Sequence, residues 1–216
     1  MNFLLVREFL VGIAGEMRFR MAELIFYSGP MGSSKTAHAL MTNFQYTEKG
    51  KKVWLIKPAI DTREEMQYDN GRAIKTLVKS RVGITAWADA ISSTDQLNPP
   101  EGTKAVICDE AQFLTAKQVE ELKMLADEKD IQVLCYGLRT DFRSQLFEGS
   151  KRLFELASII KDIPVICDCG NFAVVNARIS NGMIVTEGDQ VDIGGDDKYR
   201  AFCYACWKKY SNKGDV

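Results

Sequence analysis

Residues 23–36 read ELIFYS-GPMGSSKT, and the fold is decided by how that junction is understood. The first half is short, apolar and rich in residues that suit a strand. The second half, Gly29, Pro30, Met31, Gly32, Ser33, Ser34, Lys35 and Thr36, has the Gly-x₄-Gly-Lys-Ser/Thr form of a phosphate-cradling loop at three of its four fixed positions, with a serine where a glycine precedes the lysine. A helical pattern follows at about 35–49, so the motif sits between strand and helix, as its chemistry requires. Backbone N–H groups and the helix N-terminus would then face an anion. Lys35 would supply a point charge, and the Thr36 hydroxyl a metal contact. Ser34 is expected to cost about 1–3 kcal/mol of strain if its φ is positive, with Gly32 offering the loop other freedom.

Working outward, strand-like runs alternate with helical patterns up to about residue 165: KKVWLIKP, AVICDE, a helix at 115–128, IQVLCYG and an amphipathic stretch at 149–157. Such alternation implies parallel pairing and a sheet covered by helices on both faces, with its site at the carboxyl ends of the strands. The expected class is α/β, a P-loop, RecA-like parallel sheet. Between Pro58 and Thr103 the chain is polar and broken by Gly71, Gly83 and Pro99-Pro100, so its elements stay open, and a mobile loop is expected near 62–72. After 165 the texture changes to NFAVVNARIS and GMIVTEG, joined at Asn181-Gly182, which reads as a hairpin.

The run ending in Asp109-Glu110 places two carboxylates at the tip of an apolar strand. Asp109 would serve Mg²⁺ and Glu110 would be free to accept a proton. An N-cap for the next helix is the bland alternative. Asp61-Thr62-Arg63, taken alone, reads as a solvated turn after Pro58.

Six cysteines fall into two kinds. Cys108 and Cys135 lie inside apolar runs and read as core. Cys167, Cys169, Cys203 and Cys206 form two close pairs, which without a secretion signal point to metal, and a filled tetrahedral thiolate set suits structural Zn²⁺. The only histidine, His38, is assigned no role.

Composition excludes some functions. The chain has 216 residues, 46% of them hydrophobic, enough for one medium domain with a small appendage. Its net charge of -1 gives no electrostatic reason for a nucleic-acid polymer as partner. The first twenty residues hold apolar runs interrupted by Glu8, too short to span a bilayer and unlike a signal peptide. A cytoplasmic protein with no membrane partner is expected, with 1–20 an extension ahead of a start at Met21.

The segments GPMGSSKT, KPAIDTR, CDEAQFLT, YGLRTDF, LFEGS and IGGDDKY, in this order, resemble the type II thymidine kinases from about residue 22 to 210. The resemblance implies a transferase that moves the γ-phosphoryl of ATP, with Mg²⁺, onto the 5′-hydroxyl of deoxythymidine for DNA precursor synthesis. It implies a P-loop domain at 21–165, a zinc-binding lasso domain at 166–210, a tail at 211–216 and a homotetramer inhibited by thymidine triphosphate. Glu110 matches the catalytic base, while Asp61, Thr62, Arg63, Asp109, Ala111 and Gln112 join residues 29–36 on the nucleotide side. Phe142, with Phe113 and Phe147 lining the pocket, and Gln190, Val191, Asp192, Ile193, Gly194 and Tyr199 match the thymidine side. Val175 and Asn176 depart from many members near the base, leaving a related deoxypyrimidine open. A P-loop and zinc binding module with activity impaired by Ser34 is the other alternative.

Overall fold

The computed structural model describes residues 22–190 and 198–213. The expected extension 1–20 and start at Met21, residues Val191, Asp192, Ile193 and Gly194 of the expected loop, and the end of the tail at 214–216 lie outside the described residues.

In chain order the first elements are β1 (Leu24–Ser28), α1 (Lys35–Glu48), β2 (Val53–Pro58), β3 (Met66–Asp69), β4 (Arg72–Lys79) and β5 (Thr85–Ile91). Then come β6 (Ala105–Cys108), a 3₁₀ turn (Ala111–Phe113), α2 (Ala116–Lys129), β7 (Gln132–Gly137), α3 (Glu148–Leu156) and β8 (Ile159–Asp162). The last are β9 (Val175–Ser180), β10 (Met183–Val185), β11 (Tyr199–Phe202) and α4 (Tyr204–Lys213).

One sheet runs in the order β3-β4-β5-β2-β6-β7-β1-β8. Its centre is parallel, joining β5, β2, β6, β7, β1 and β8. The central strands are buried along almost their whole length because both faces are covered, and alternate residues go to opposite cores. Trp54, Ile56, Val106, Cys108, Val133 and Cys135 pack toward Val119, Leu122, Ala126 and Leu153 of α2 and α3. Leu55, Ala105, Ile107, Leu134 and Tyr136 pack toward Ala39 and Leu40 of α1. Cys108 and Cys135 are fully buried, as expected of core thiols. Thr115 starts α2 with a capping box, accepting from the Gln118 N–H while Gln118 accepts from the Thr115 N–H.

Two features differ from expectation. The segment after Pro58, whose elements the sequence leaves open, contains three strands, and 62–72 is not a loop throughout. Residues 66–79 make an antiparallel hairpin, β3 with β4, turning at Asn70-Gly71 with φ of 48° and 78°. Both positive values match the two-residue hairpin turn that Asn-Gly favours. β4 then pairs antiparallel with β5, so the sheet is mixed at this edge. At the other edge, β8 pairs with β1. Only its first residue is even half-buried, so it carries no long apolar run to mark it as a strand.

The expected second unit is a separate sheet, β10-β9-β11, with a hairpin turn at Asn181-Gly182. Its core is Cys167, Ala173, Ala177, Phe202 and Cys203, flanked by Trp207 and Tyr210.

The 3₁₀ turn is seated on α3 through a glycine. A Cβ on Gly149 would lie 2.6 Å from the Ala111 carbonyl, 2.7 Å from that of Leu114 and 2.9 Å from that of Gln112. Gly149→Ala must push helix and turn apart, and is expected to cost about 1–3 kcal/mol. Calorimetry should show Tm falling by about 2–4 °C for each kcal/mol. An unchanged Tm would show the contact to be loose.

Candidate active site

The parallel register brings four strand ends to one level. Ser28 pairs with Gly137, Ile56 with Cys108, and Cys108 with Cys135. The loops after β1, β2, β6 and β7 therefore share one edge, where an open α/β sheet makes its crevice.

After β1, the 29–36 loop folds back on Lys35. The Lys35 Nζ donates to the Gly29 carbonyl at 2.9 Å, the Pro30 carbonyl at 2.8 Å and the Ser33 Oγ at 3.1 Å. Burial lowers its pKa to about 8, opposed by the charges of Glu110 and Asp109. A buried ammonium held only by neutral acceptors is prepared to meet an anion. Gly29 has no room for a side chain, since a Cβ would lie 2.6 Å from the Ile163 carbonyl. Ser34 has φ 61° and ψ 24°, the left-handed conformation that disfavours serine, and begins α1 without a side-chain cap.

After β6, Asp109 is buried and accepts from the Thr36 Oγ1, at 3.1 Å to Oδ2. Burial, and then the charge of Glu110, push its pKa up to about 7. Glu110 is gripped from both sides. Its Oε1 accepts from the Arg63 Nη2 at 2.6 Å and its Oε2 from the Gln112 Nε2 at 2.5 Å. Gln112 is buried in turn, and its Oε1 accepts from the Leu138 N–H at 3.0 Å. Ala111 lies in the core behind the site.

After β2 a turn does form, the Asp61 N–H donating to the Pro58 carbonyl at 3.2 Å, and Thr62 and Arg63 are exposed, but Asp61 is not solvated. Asp61 is 1% exposed, 2.8 Å from the Lys57 Nζ and 2.7 Å from the Arg63 Nε. Burial pushes its carboxyl up, but the hydrogen bonds and charge of Arg63, with Lys57, outweigh that and hold it at about 2. Those same bonds to Asp61 raise the Arg63 guanidinium above its usual range. Arg63 thus bridges Asp61 and Glu110.

Two cavities meet at this bridge. The larger, about 610 Å³, is lined by Met31, Gly32, Ser34, Lys35 and Thr36 of the loop, by Lys57, Thr62, Arg63, Asp109 and Glu110, and by Lys79 at the end of β4 with Ser80, Arg81 and Val82 after it. The smaller, about 70 Å³, shares Met31, Arg63, Glu110 and Leu138 with it. Phe113, Phe142 and Phe147 line its apolar side, with Gln190 and Tyr199 at the entrance to the expected loop. Phe113 and Phe147 meet edge to face at 5.7 Å.

Several contributors escaped the sequence reading. The cationic turn at 79–82 lies in the segment whose elements were left open. Asp141 is buried and gathers the loop after β7, accepting from the Arg143 and Gln145 N–H groups at 2.9 Å each and from the Gln190 Nε2 at 3.0 Å. Arg178 lays its guanidinium 3.8 Å over the Phe142 ring. An Arg and an Asp in β-type or turn sequence carry no signal of their own.

The Sγ atoms of Cys167, Cys169, Cys203 and Cys206 all lie within 4.8 Å of one another. Thiolates at tetrahedral Zn–S distances of about 2.3 Å stand about 3.8 Å apart, so the quartet fits zinc. No helix among the described residues is long and apolar enough to cross a membrane.

A family model described as thymidine kinase matches residues 22–207. The chain is 41% identical over 198 residues to a thymidine kinase of Legionella pneumophila (strain Lens), covering 88% of this chain and 90% of that protein. It is 38% identical over 202 residues to that of Streptococcus gordonii, covering 91% and 99%, and 36% identical over 200 residues to that of Rhodopirellula baltica, covering 88% and 89%.

Ser34→Gly relieves a left-handed serine and is expected to stabilise the protein by about 0.5–1 kcal/mol in urea denaturation, with activity kept or raised. A large loss of activity would give the serine a role of its own. Asp109 yields a pH prediction. Between its ordinary 3.8 and about 7 the folded, metal-free protein holds a proton that the unfolded chain has released. Stability from this group therefore falls as pH rises through that window. Asp109→Asn removes the effect, so the variant's stability relative to wild type should rise from about pH 4 to about pH 7 in magnesium-free buffer. A pH-independent difference would contradict it.

Proposed function

The chain belongs to the thymidine kinase family, and we propose that its Glu110 takes the proton from the 5′-hydroxyl of thymidine where the two cavities meet. The protein is a kinase that phosphorylates thymidine, and the family implies ATP as donor with Mg²⁺. The observation that carries the residue assignment is the sharing of Glu110 and Arg63 by both cavities.

In this reading residues 29–36 are the phosphate loop of a P-loop fold. The larger cavity takes the triphosphate of ATP, supported by the buried Lys35 and the cations around it. The smaller takes the nucleoside, supported by Phe113, Phe142 and Phe147, which offer apolar faces to a base. Gln190 and Tyr199 border it, and the family likeness implies thymidine contacts for 191–194.

The nucleoside's 5′-oxygen then lies beside Glu110. As that oxygen forms its bond to the γ-phosphorus, the proton passes to the carboxylate and the bond to the β-phosphate oxygen breaks, leaving ADP and thymidine monophosphate. Gln112 and Arg63 fix the carboxylate from two sides, and the Arg63 guanidinium also faces charge developing on the transferred group. Mg²⁺, when bound, neutralises phosphate charge, and Thr36 and Asp109 are the residues that would hold it. The mutual hydrogen bond of these two and the raised pKa of Asp109 suit a site that awaits a cation.

The cysteine quartet would hold structural zinc, tying the turn at 167–169 to the start of α4 and so framing both ends of the expected lasso unit, 166–210, beside the P-loop unit, 21–165. The family likeness supports a cytoplasmic homotetramer.

Purified protein with Mg²⁺·ATP and a panel of labelled deoxynucleosides is expected to phosphorylate thymidine in preference to the rest. Glu110→Gln should lower kcat by about 10²–10⁴-fold with little change in KM. A variant as active as wild type would remove Glu110 from the reaction. Elemental analysis should find about one zinc per chain, lost in Cys206→Ser together with several degrees of Tm. Metal-free wild type prepared without chelator would refute the zinc assignment.

A further inference from the structure

We infer that Asn176 is a positioning residue that couples the nucleoside pocket to the phosphate loop, so that each substrate tightens the binding of the other. The inference rests on the reading of the two cavities given above.

Asn176 belongs to β9, in the small cysteine-bearing sheet, 145 positions from the residue it holds. It is 3% exposed. Its Oδ1 accepts from the Met31 N–H at 2.7 Å, and its Nδ2 donates to the Thr140 carbonyl at 3.2 Å. Only one orientation of the amide serves both partners, because the N–H needs an oxygen and the carbonyl needs an NH₂. The side chain is therefore locked, and so is whatever it touches.

What it touches reaches both substrates. The Pro30–Met31 peptide is planar, so fixing the Met31 N–H also fixes the direction of the Pro30 carbonyl. That carbonyl accepts from the Lys35 Nζ at 2.8 Å. A continuous hydrogen-bonded path thus runs from the Thr140 carbonyl through Asn176 and one peptide group to the ammonium that meets phosphate. At its other end the path is in the nucleoside pocket itself, whose wall includes Thr140, Asp141, Phe142 and Asn176.

β9 is itself bound to that pocket. Two residues along, on the same face of the strand, Arg178 stacks on Phe142 and donates from Nη2 to the Asp189 carbonyl at 3.3 Å, just before Gln190. A nucleoside that presses on Phe142 loads β9 through Arg178, and Asn176 carries that load to the loop. Phosphates that engage Lys35 release the Pro30 carbonyl and act along the path in reverse. Coupling of this kind is reciprocal, with factors of about 5–150 being typical.

The test uses the whole protein with thymidine and Mg²⁺·AMP-PNP as probes. Calorimetry of wild type should show each probe tightening the other by about fivefold or more. In Asn176→Leu, similar in size but unable to hydrogen-bond, and in the smaller Asn176→Ala, the factor should fall to about one, with kcat reduced more than the KM for thymidine. Hydrogen exchange in wild type should find the Met31 amide protected, and slower still with thymidine alone. A folded Leu or Ala variant that keeps the wild-type factor overturns the inference, as does a Met31 amide indifferent to thymidine. Wild type that binds both probes independently overturns the coupling alone. Wild type that binds neither overturns the reading of the cavities and the coupling with it.

Discussion

One guanidinium holds the site together. Asp61, Asp109 and Glu110 converge at the ends of neighbouring strands, and like charges so close would repel one another or stay protonated without partners. Arg63 answers two of them at once, 2.7 Å from Asp61 and 2.6 Å from Glu110. Lys57 answers Asp61 again. Asp109, buried beside Glu110, with the Thr36 hydroxyl, Lys57 and Lys35 only partly offsetting those effects, is the one whose pKa rises. The result is a division of labour by environment: one carboxylate locked as an anion, one poised to gain a cation, and one aimed into two cavities.

The sheet supplies the rigidity this balance needs. Its central strands alternate side chains between two cores, one under α1 and one under α2 and α3, so their ends have little freedom to drift. The 3₁₀ turn that presents Glu110 is clamped between Gly137 and Gly149, where any Cβ would strike the turn's own atoms at 2.6–3.0 Å. Glu110 itself has φ 53°, a conformation that its surrounding packing and hydrogen bonds sustain. Strain at Glu110 and at Ser34 marks the two loops on which the proposed chemistry depends.

Much of this was legible in the sequence. The strand–loop–helix context of residues 23–48, the acidic tip of β6 and the paired cysteines each have a local signature, and the structure brings these segments to one edge or into one cluster. The hairpin β3–β4 also had a local signature, Asn70-Gly71, but its strands carry charged residues on an exposed edge, which masks the alternation that reveals a strand. Asp61 misled because burial is set by its neighbours: Lys57 and Arg63 neutralise it, and nothing in a short polar run announces that. Asn176 was visible only as a residue near the base, because its partner Met31 lies at the other end of the chain. Long-range hydrogen bonds of single polar side chains have no period and no motif.

The central claim is spatial: the donor and acceptor cavities meet at Glu110. A crystal structure with thymidine and Mg²⁺·AMP-PNP bound together tests it most directly. The thymine base is expected among Phe113, Phe142 and Phe147, with the 5′-oxygen within about 3.2 Å of the Glu110 carboxylate and facing the γ-phosphorus over Lys35. Thymidine seated elsewhere, or a 5′-oxygen turned away from Glu110 with another base beside it, would contradict the account.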